Sequence, residues 1–251
     1  MRNIKLGLWY CGKRYSGFQQ QVQQRTVAGD VLKALSALYN EPIHLVAAGR
    51  TDAGVHAVGQ VVNYHTEQYI PCDGLKKGLN ALLPEDTRVL DVSEVPLSFH
   101  ARYSAKKRTY HFLMSRELHG YLSDYVETVS YGLDFECLEH LCKLLVGRHD
   151  FKFLSCKTEF SCQTEREIYE CSVEKIYVRD LYHEVQRELI RFKITANSFL
   201  YKMVRNILGA MMEVMRGKQS DKDFKKMLLG KKQYSYTTMS PKGLTLVNVE
   251  Y

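Results

Sequence analysis

The 251-residue sequence predicts an α+β chain built as two β-α-β-β-α-β halves. Three observations predict it. Strand-like runs of period two alternate with runs at helical spacing, the order of these runs recurs once with little sequence similarity, and no low-complexity segment or Pro/Gly/Ser-rich linker interrupts them.

Ile4, Leu6, Leu8 and Tyr10 alternate with Lys5, Gly7 and Trp9, the pattern of a half-buried strand. Thr26 offers an N-cap to a helix over residues 27–39, where Val31, Leu32, Leu35, Leu38 and Tyr39 form the apolar side. Ile43 to Ala48 and Val58 to Tyr64 read as strands. Asp73 is expected to cap a helix whose Leu75, Leu79, Leu82 and Leu83 share a face before Pro84 stops it, and Val89 to Val95 closes the half as a strand. In the second half Lys107 to Met114 is a strand. Asp134 caps a helix carrying Leu138, Leu141, Leu144 and Leu145, which Gly147 ends. Ile168 to Val178 and Glu184 to Ala196 read as paired strands. Asn197 is expected to cap a helix with Phe199, Leu200, Met203, Val204, Ile207, Leu208, Met211 and Met215 on its buried side. A short helix from Asp221 to Leu229, stopped by Gly230, precedes a last strand from Gly243 to Tyr251.

Each half has the ferredoxin-like order. The two sheets are expected to join into one mixed, mainly antiparallel sheet with helices on one face and an open cleft. The boundary falls at a tight junction near residues 98–105, dividing an N-terminal domain, 1–103, from a C-terminal domain, 104–251.

The composition, 45% hydrophobic and 25% charged, is that of a globular chain, and the formal charge of +7 favours a polyanionic partner. Met1 to Tyr10 lacks the continuous apolar stretch of a signal peptide. No apolar run approaches the roughly 20 residues needed to span a bilayer, so no membrane role and a cytoplasmic location are expected. Seven scattered cysteines without a Cys-x-x-Cys pair read as reduced thiols. His140, Cys142, His149, Cys156 and Cys162 fall in one stretch, but their spacing is poor for zinc, so no metal is expected.

The chemistry concentrates in Ala48-Gly49-Arg50-Thr51-Asp52-Ala53-Gly54-Val55-His56-Ala57-Val58-Gly59-Gln60, between two strands. Glycines at 49, 54 and 59 allow positive φ and close approach to a ligand, and Arg50 and Asp52 are near enough to pair. The spacing fits neither G-x-G-x-x-G nor a P-loop. A Gly-rich turn with an Arg and an Asp is, taken alone, more often a structural hairpin than an active site.

Gly49 to Ala57 resembles the signature of the tRNA pseudouridine synthase A family. Further matches follow in family order: Thr26 to Gly29, Asn80 to Asp86, Phe99 to Ala105 with Arg108-Thr109-Tyr110, Ala196 to Asn206, and Gly243 to Leu246. The family usually has Tyr-Asp-Gly-Thr and Gly-Trp-Gln where this chain has Tyr10-Cys11-Gly12-Lys13 and Gly17-Phe18-Gln19, near where the family contacts RNA. The resemblance implies conversion of uridine to pseudouridine, at positions 38 to 40 of the tRNA anticodon arm, by a homodimer with no coenzyme. It assigns the nucleophile to Asp52, attacking base or ribose, the paired cation to Arg205, and the active-site tyrosine to Tyr110. An ionised nucleophile in a water-excluding site needs a nearby cation, which Arg50 or Arg205 supplies.

The target base must be flipped from its stack, where a tyrosine ring can hold it and a hydroxyl can take the C5 proton. By resemblance Arg50 fills the vacated space. His56, Gln60 and Leu244 are candidate nucleotide contacts, and Lys13, Arg14, Lys106, Lys107, Arg108, Lys202 and Arg216 candidate phosphate contacts. Two rivals remain at this point: the same chemistry on another RNA, such as ribosomal RNA, and a noncatalytic RNA-binding protein. The second lacks the ribonucleoprotein signature of the RNA recognition modules.

Overall fold

The computed structural model describes residues 1–117, 120–156, 163–179 and 185–251. Along the chain run β1 (Arg2–Tyr10), α1 (Val27–Tyr39), β2 (Val46–Ala47), β3 (His56–Thr66), α2 (Cys72–Leu82), β4 (Thr87–Val95) and β5 (Lys107–Ser115). Then follow β6 (Glu127–Thr128), α3 (Phe135–Leu145), β7 (Gly147–Asp150), β8 (Glu165–Arg179), β9 (Gln186–Ala196), α4 (Met203–Met215), α5 (Asp221–Leu228) and β10 (Leu244–Glu250). The α+β class with mainly antiparallel strands is observed.

The chain forms two compact units, one of Met1–Arg108 with Thr245–Tyr251 and one of Thr109–Leu244. In the first, the strand order is β4-β1-β3-β10; β1 runs antiparallel to β3 and β4, while β10 pairs parallel to β3 through Thr245↔His56 and Leu246↔Ala57. Ile4, Leu6, Leu8 and Tyr10 turn inward from β1 and are buried, as the alternation requires, with Val31, Leu35, Tyr39, Leu75 and Leu79 of α1 and α2. Thr26 caps α1 by accepting from Gly29 N.

In this unit the structure departs from expectation at three places. The strand expected over 43–48 shrinks to Val46–Ala47. Asp73 does not cap α2: Pro71 holds the N-cap position without a side-chain bond, and Asp73 lies in the first turn, where its charge suits the helix dipole. Leu82 is exposed, whereas Leu83, one residue past the helix, is buried. At the junction, Asn63 and Asn3 bond each other and tie down the carbonyls of Pro96 and Phe99 and the amide of Ala101. Two buried asparagine side chains thus make the turn that no linker composition marks.

The second unit has the strand order β5-β9-β8-β7, with β8 antiparallel to both neighbours and β6 parallel to β5. Asp134 caps α3, which packs on β8, α4 and α5 through Leu138, Leu141 and Leu145. Gly147, with φ +111°, follows that helix and opens β7, a strand the sequence reading lacked. The expected strand start at Glu184 lies outside the described residues. Asn197 does not cap α4. Its side chain instead accepts from Glu167 N and Ser198 N, residues 198–202 form a loop, and the helix starts at Met203 behind Lys202 in the left-handed region. Ser220, not singled out from sequence, caps α5 in a reciprocal capping box with Asp223.

Candidate active site

Residues 48–55 connect β2 to β3 in the first unit. Their backbone is tied on both sides of Asp52: Ala48 N donates to Val61 O (2.8 Å), Gln60 Nε2 to Gly49 O (2.8 Å), Phe18 N to Thr51 O (3.0 Å) and Val55 N to Asp52 O (3.1 Å). Gly54 alone of the three motif glycines takes positive φ, +79°. Gly59 answers a different demand, since a Cβ there would lie 2.0 Å from Val247 O of β10. Thr51 and Val55 are buried, Ala53 is exposed, and Asp52 between them is half-buried. The chain therefore places one carboxylate at the crest of a tied loop.

Beneath the loop lies a polar layer. Tyr10 Oη sits 2.7 Å from Thr51 Oγ1 and 3.3 Å from Gln60 Nε2. Burial pushes the Tyr10 hydroxyl up to about 12, against the lowering effect of those bonds, so it stays protonated. His56 Nδ1 accepts from Gly12 N at 3.1 Å, which requires that nitrogen to be unprotonated. Gln60 and His56, expected at the substrate, are 0% and 2% exposed, and they bond to Gly49, Tyr10, Val61 and Gly12 of the same unit.

A second polar knot supports the same loop. Tyr15 O accepts from Gly54 N, while the Tyr15 hydroxyl meets Asp30, Asp86 and Thr87. Arg25 grips both Asp86 oxygens, at 2.9 and 2.7 Å, and its guanidinium stacks over the Tyr15 ring. Burial alone raises the Asp86 carboxyl, but the bonds from Arg25 and Tyr15 outweigh it and hold the group below the usual carboxylate range. From sequence Tyr10 is only a strand position and Asp86 only the end of a matched segment, and Tyr15 and Arg25 are not singled out. The signal was present as polar groups at positions patterned to face the core, yet only strand register shows what they meet.

The candidate cations sort by their surroundings. Arg50 is exposed; Lys13 and Arg14 are exposed on a short turn, and Arg14 lies 3.5 Å from Glu85. Lys107 pairs with Glu250 at 3.3 Å, and Lys106 is exposed beside it. Arg108 is 8% exposed, and its guanidinium donates to the carbonyls of Ala48, Arg102 and Ala105, an inward tie.

In the second unit Tyr110 lies on β5, 8% exposed, with its ring edge-on to Phe199 at 5.1 Å. Arg205 stands in the first turn of α4, where its Nε donates to Met239 O at 2.7 Å. Lys202 lies over the Tyr201 ring, and Arg216 pairs with Glu213 at 3.0 Å and stacks on Tyr131. Leu244 is buried. Among the described residues, no group of three or more His, Cys, Asp or Glu is placed to hold a metal; His140 pairs with Asp221, and Cys162 lies outside those residues. No helix among them is long and apolar enough to cross a membrane.

Comparison with known proteins gives the family. The family model described as tRNA pseudouridine synthase matches residues 9–104 and 141–251, and the chain belongs to that family of isomerases. Among its relatives, the tRNA pseudouridine synthase A of Dictyoglomus turgidum is 40% identical, with all of both chains covered. The proteins of that name from Caldicellulosiruptor bescii and an Exiguobacterium strain are 35% and 36% identical, covering all of this chain and 100% and 98% of theirs.

Proposed function

We propose that this chain converts uridine to pseudouridine in tRNA with Asp52 as the nucleophile. The observation that carries the reading is the half-buried carboxylate of Asp52 on a loop tied at Gly49, Thr51, Gly54 and Val55. A nucleophile so held loses little freedom on reaching the transition state. The reaction breaks the bond from N1 to C1′ and forms one from C5 to C1′; C5 gives up its proton and N1 gains one, so no redox partner is needed. Tyr110 stacks on the flipped uracil and takes the C5 proton, Arg205 compensates the carboxylate charge, and exposed Arg50 fills the space the nucleotide leaves.

Lys13, Arg14, Lys106, Lys107, Lys202 and Arg216 supply phosphate contacts, and the substrate uridines are those at positions 38 to 40 of the anticodon arm, bound by a homodimer. His56 and Gln60 act from inside, on the loop. The test is Asp52→Asn, assayed by tritium release from tRNA labelled at uridine C5. Turnover falls by at least about a thousandfold while tRNA affinity stays within about tenfold, because a catalytic carboxylate acts in the transition state. Equal loss of binding would assign Asp52 a structural role, and no release from any RNA by the parent chain would leave a binding protein.

A further inference from the structure

The polar layer under the catalytic loop has a direction, and that direction ends at the residue before Asp52. Gln60 Oε1 accepts from Val61 N at 3.1 Å, and Gln60 Nε2 donates to Gly49 O at 2.8 Å, so the amide can be oriented only one way. Its nitrogen therefore also donates to Tyr10 Oη, at 3.3 Å. Tyr10 is 1% exposed, and a buried hydroxyl proton without an acceptor is costly. With one acceptor position filled by Gln60, the Tyr10 proton goes to Thr51 Oγ1, the shorter contact at 2.7 Å. The chain of bonds runs from β3 through β1 to the loop. Thr51 is fixed a second time, through its carbonyl, by Phe18 N at 3.0 Å, and Gly49 O is fixed by the same glutamine.

We infer that Tyr10 and Gln60 are positioning residues for the isomerisation, acting through Thr51 to set where Asp52 stands. This rests on the assignment of Asp52 as nucleophile. The layer ties the two residues Gly49 and Thr51, just ahead of Asp52, to a single pair of strands, and positioning errors of about 1 Å cost catalysis far more than they cost binding. A layer serving only stability would lower the melting temperature and leave kcat per folded molecule alone.

The experiment is a double-mutant cycle of Tyr10→Phe and Thr51→Val on the full chain, with kcat and KM for tRNA measured beside thermal melting. Tyr10→Phe keeps the ring in the core, and Thr51→Val keeps the side-chain shape. Each single variant is expected to lose about tenfold in kcat, the worth of one buried hydrogen bond, with KM within about twofold. The double variant falls no further than the worse single one, because both remove the same bond, and Thr51→Ser restores kcat. Unchanged kcat in both singles, multiplying losses in the double, or a loss confined to KM would overturn the inference. Asp52→Asn run in parallel separates the two readings. If it abolishes turnover while Tyr10→Phe and Thr51→Val do not lower kcat, the nucleophile stands and the positioning role fails; if it leaves turnover intact, both fail.

Discussion

The loop that carries Asp52 and the segment that carries Arg205 are held by different means. Around Asp52 much of the hold comes from buried side chains: Tyr10 on Thr51, Gln60 on Gly49 and His56 on Gly12. Around Arg205 much of it comes from the main chain, beside one side-chain bond from Thr238 to Asn206. Tyr201 O accepts from Cys156 N, Lys202 O from Asn206 N, and Arg205 O from Met239 N, whose own carbonyl takes the Arg205 Nε. A scaffold of side chains depends on which residues are present, whereas a scaffold of peptide groups depends on the path of the chain. Point substitutions therefore reach the first region from beneath, and reach the second mostly through the Arg205 side chain itself.

Beyond the loss of turnover in Asp52→Asn, the largest effect that sharpens this contrast is at Arg205. Arg205→Lys keeps the charge and loses the planar guanidinium whose Nε reaches Met239 O, so kcat is expected to fall by about tenfold to a hundredfold with melting nearly unchanged. Steady-state kinetics beside calorimetry check it; a large drop in melting would show that this side chain, like Tyr10, is part of the scaffold.

Next in size is a pair of glycines in the first region. Gly59→Ala drives a Cβ into Val247 O and is expected to destabilise by about 1–3 kcal/mol, while Gly49→Ala, with nothing within 4 Å of its Cβ, leaves the melting midpoint within error. Urea titrations of both read the difference, and equal effects would remove β10 as the cause.

Of similar size at pH 7, but shrinking in acid, is the effect of breaking the second polar knot. Asp86 is held below its ordinary value, so its stabilisation is fully present above the unfolded aspartate value, about 3.9, and is lost as pH falls through the lower folded value. Asp86→Asn is expected to be less stable by about 1–3 kcal/mol at pH 7, the loss of charged hydrogen bonds to Arg25, and the gap should narrow below pH 4. A gap that stays constant with pH would place the effect in packing instead.

The same contrast explains what the sequence made legible. The helix over 27–39 was readable because Thr26 and the apolar spacing act locally, and the Asp52 motif because its residues are contiguous. Tyr10 reads as one more apolar position of an alternating strand; its partnership with Thr51 and Gln60 depends on the register of β1 with β3, which pairs Leu8 with Gln60 and then slips so that Tyr10 faces Ala57. The start of α4 at Met203 differs from expectation for a related reason. Asn197 has the chemistry of a cap, but the neighbouring Glu167 amide on β8 claims its oxygen, and Lys202 takes a left-handed turn that spacing does not announce. Phe18, which departs from the family pattern, is buried against the Tyr10 ring and ties Thr51 O through its amide, so that departure sits in the support of the loop.

β10 joins the first unit although it is the last strand in the chain. During synthesis, β2 can cover Val62 and Asn63 on that edge of β3, but His56 and Ala57 wait for their β10 partners until the second unit has been made. An open strand edge beside a hydrophobic core invites pairing with other chains. The nascent protein carries the Asp52 loop directly before that unpaired start of β3, and chaperone demand should fall when residues 245–251 pair with it.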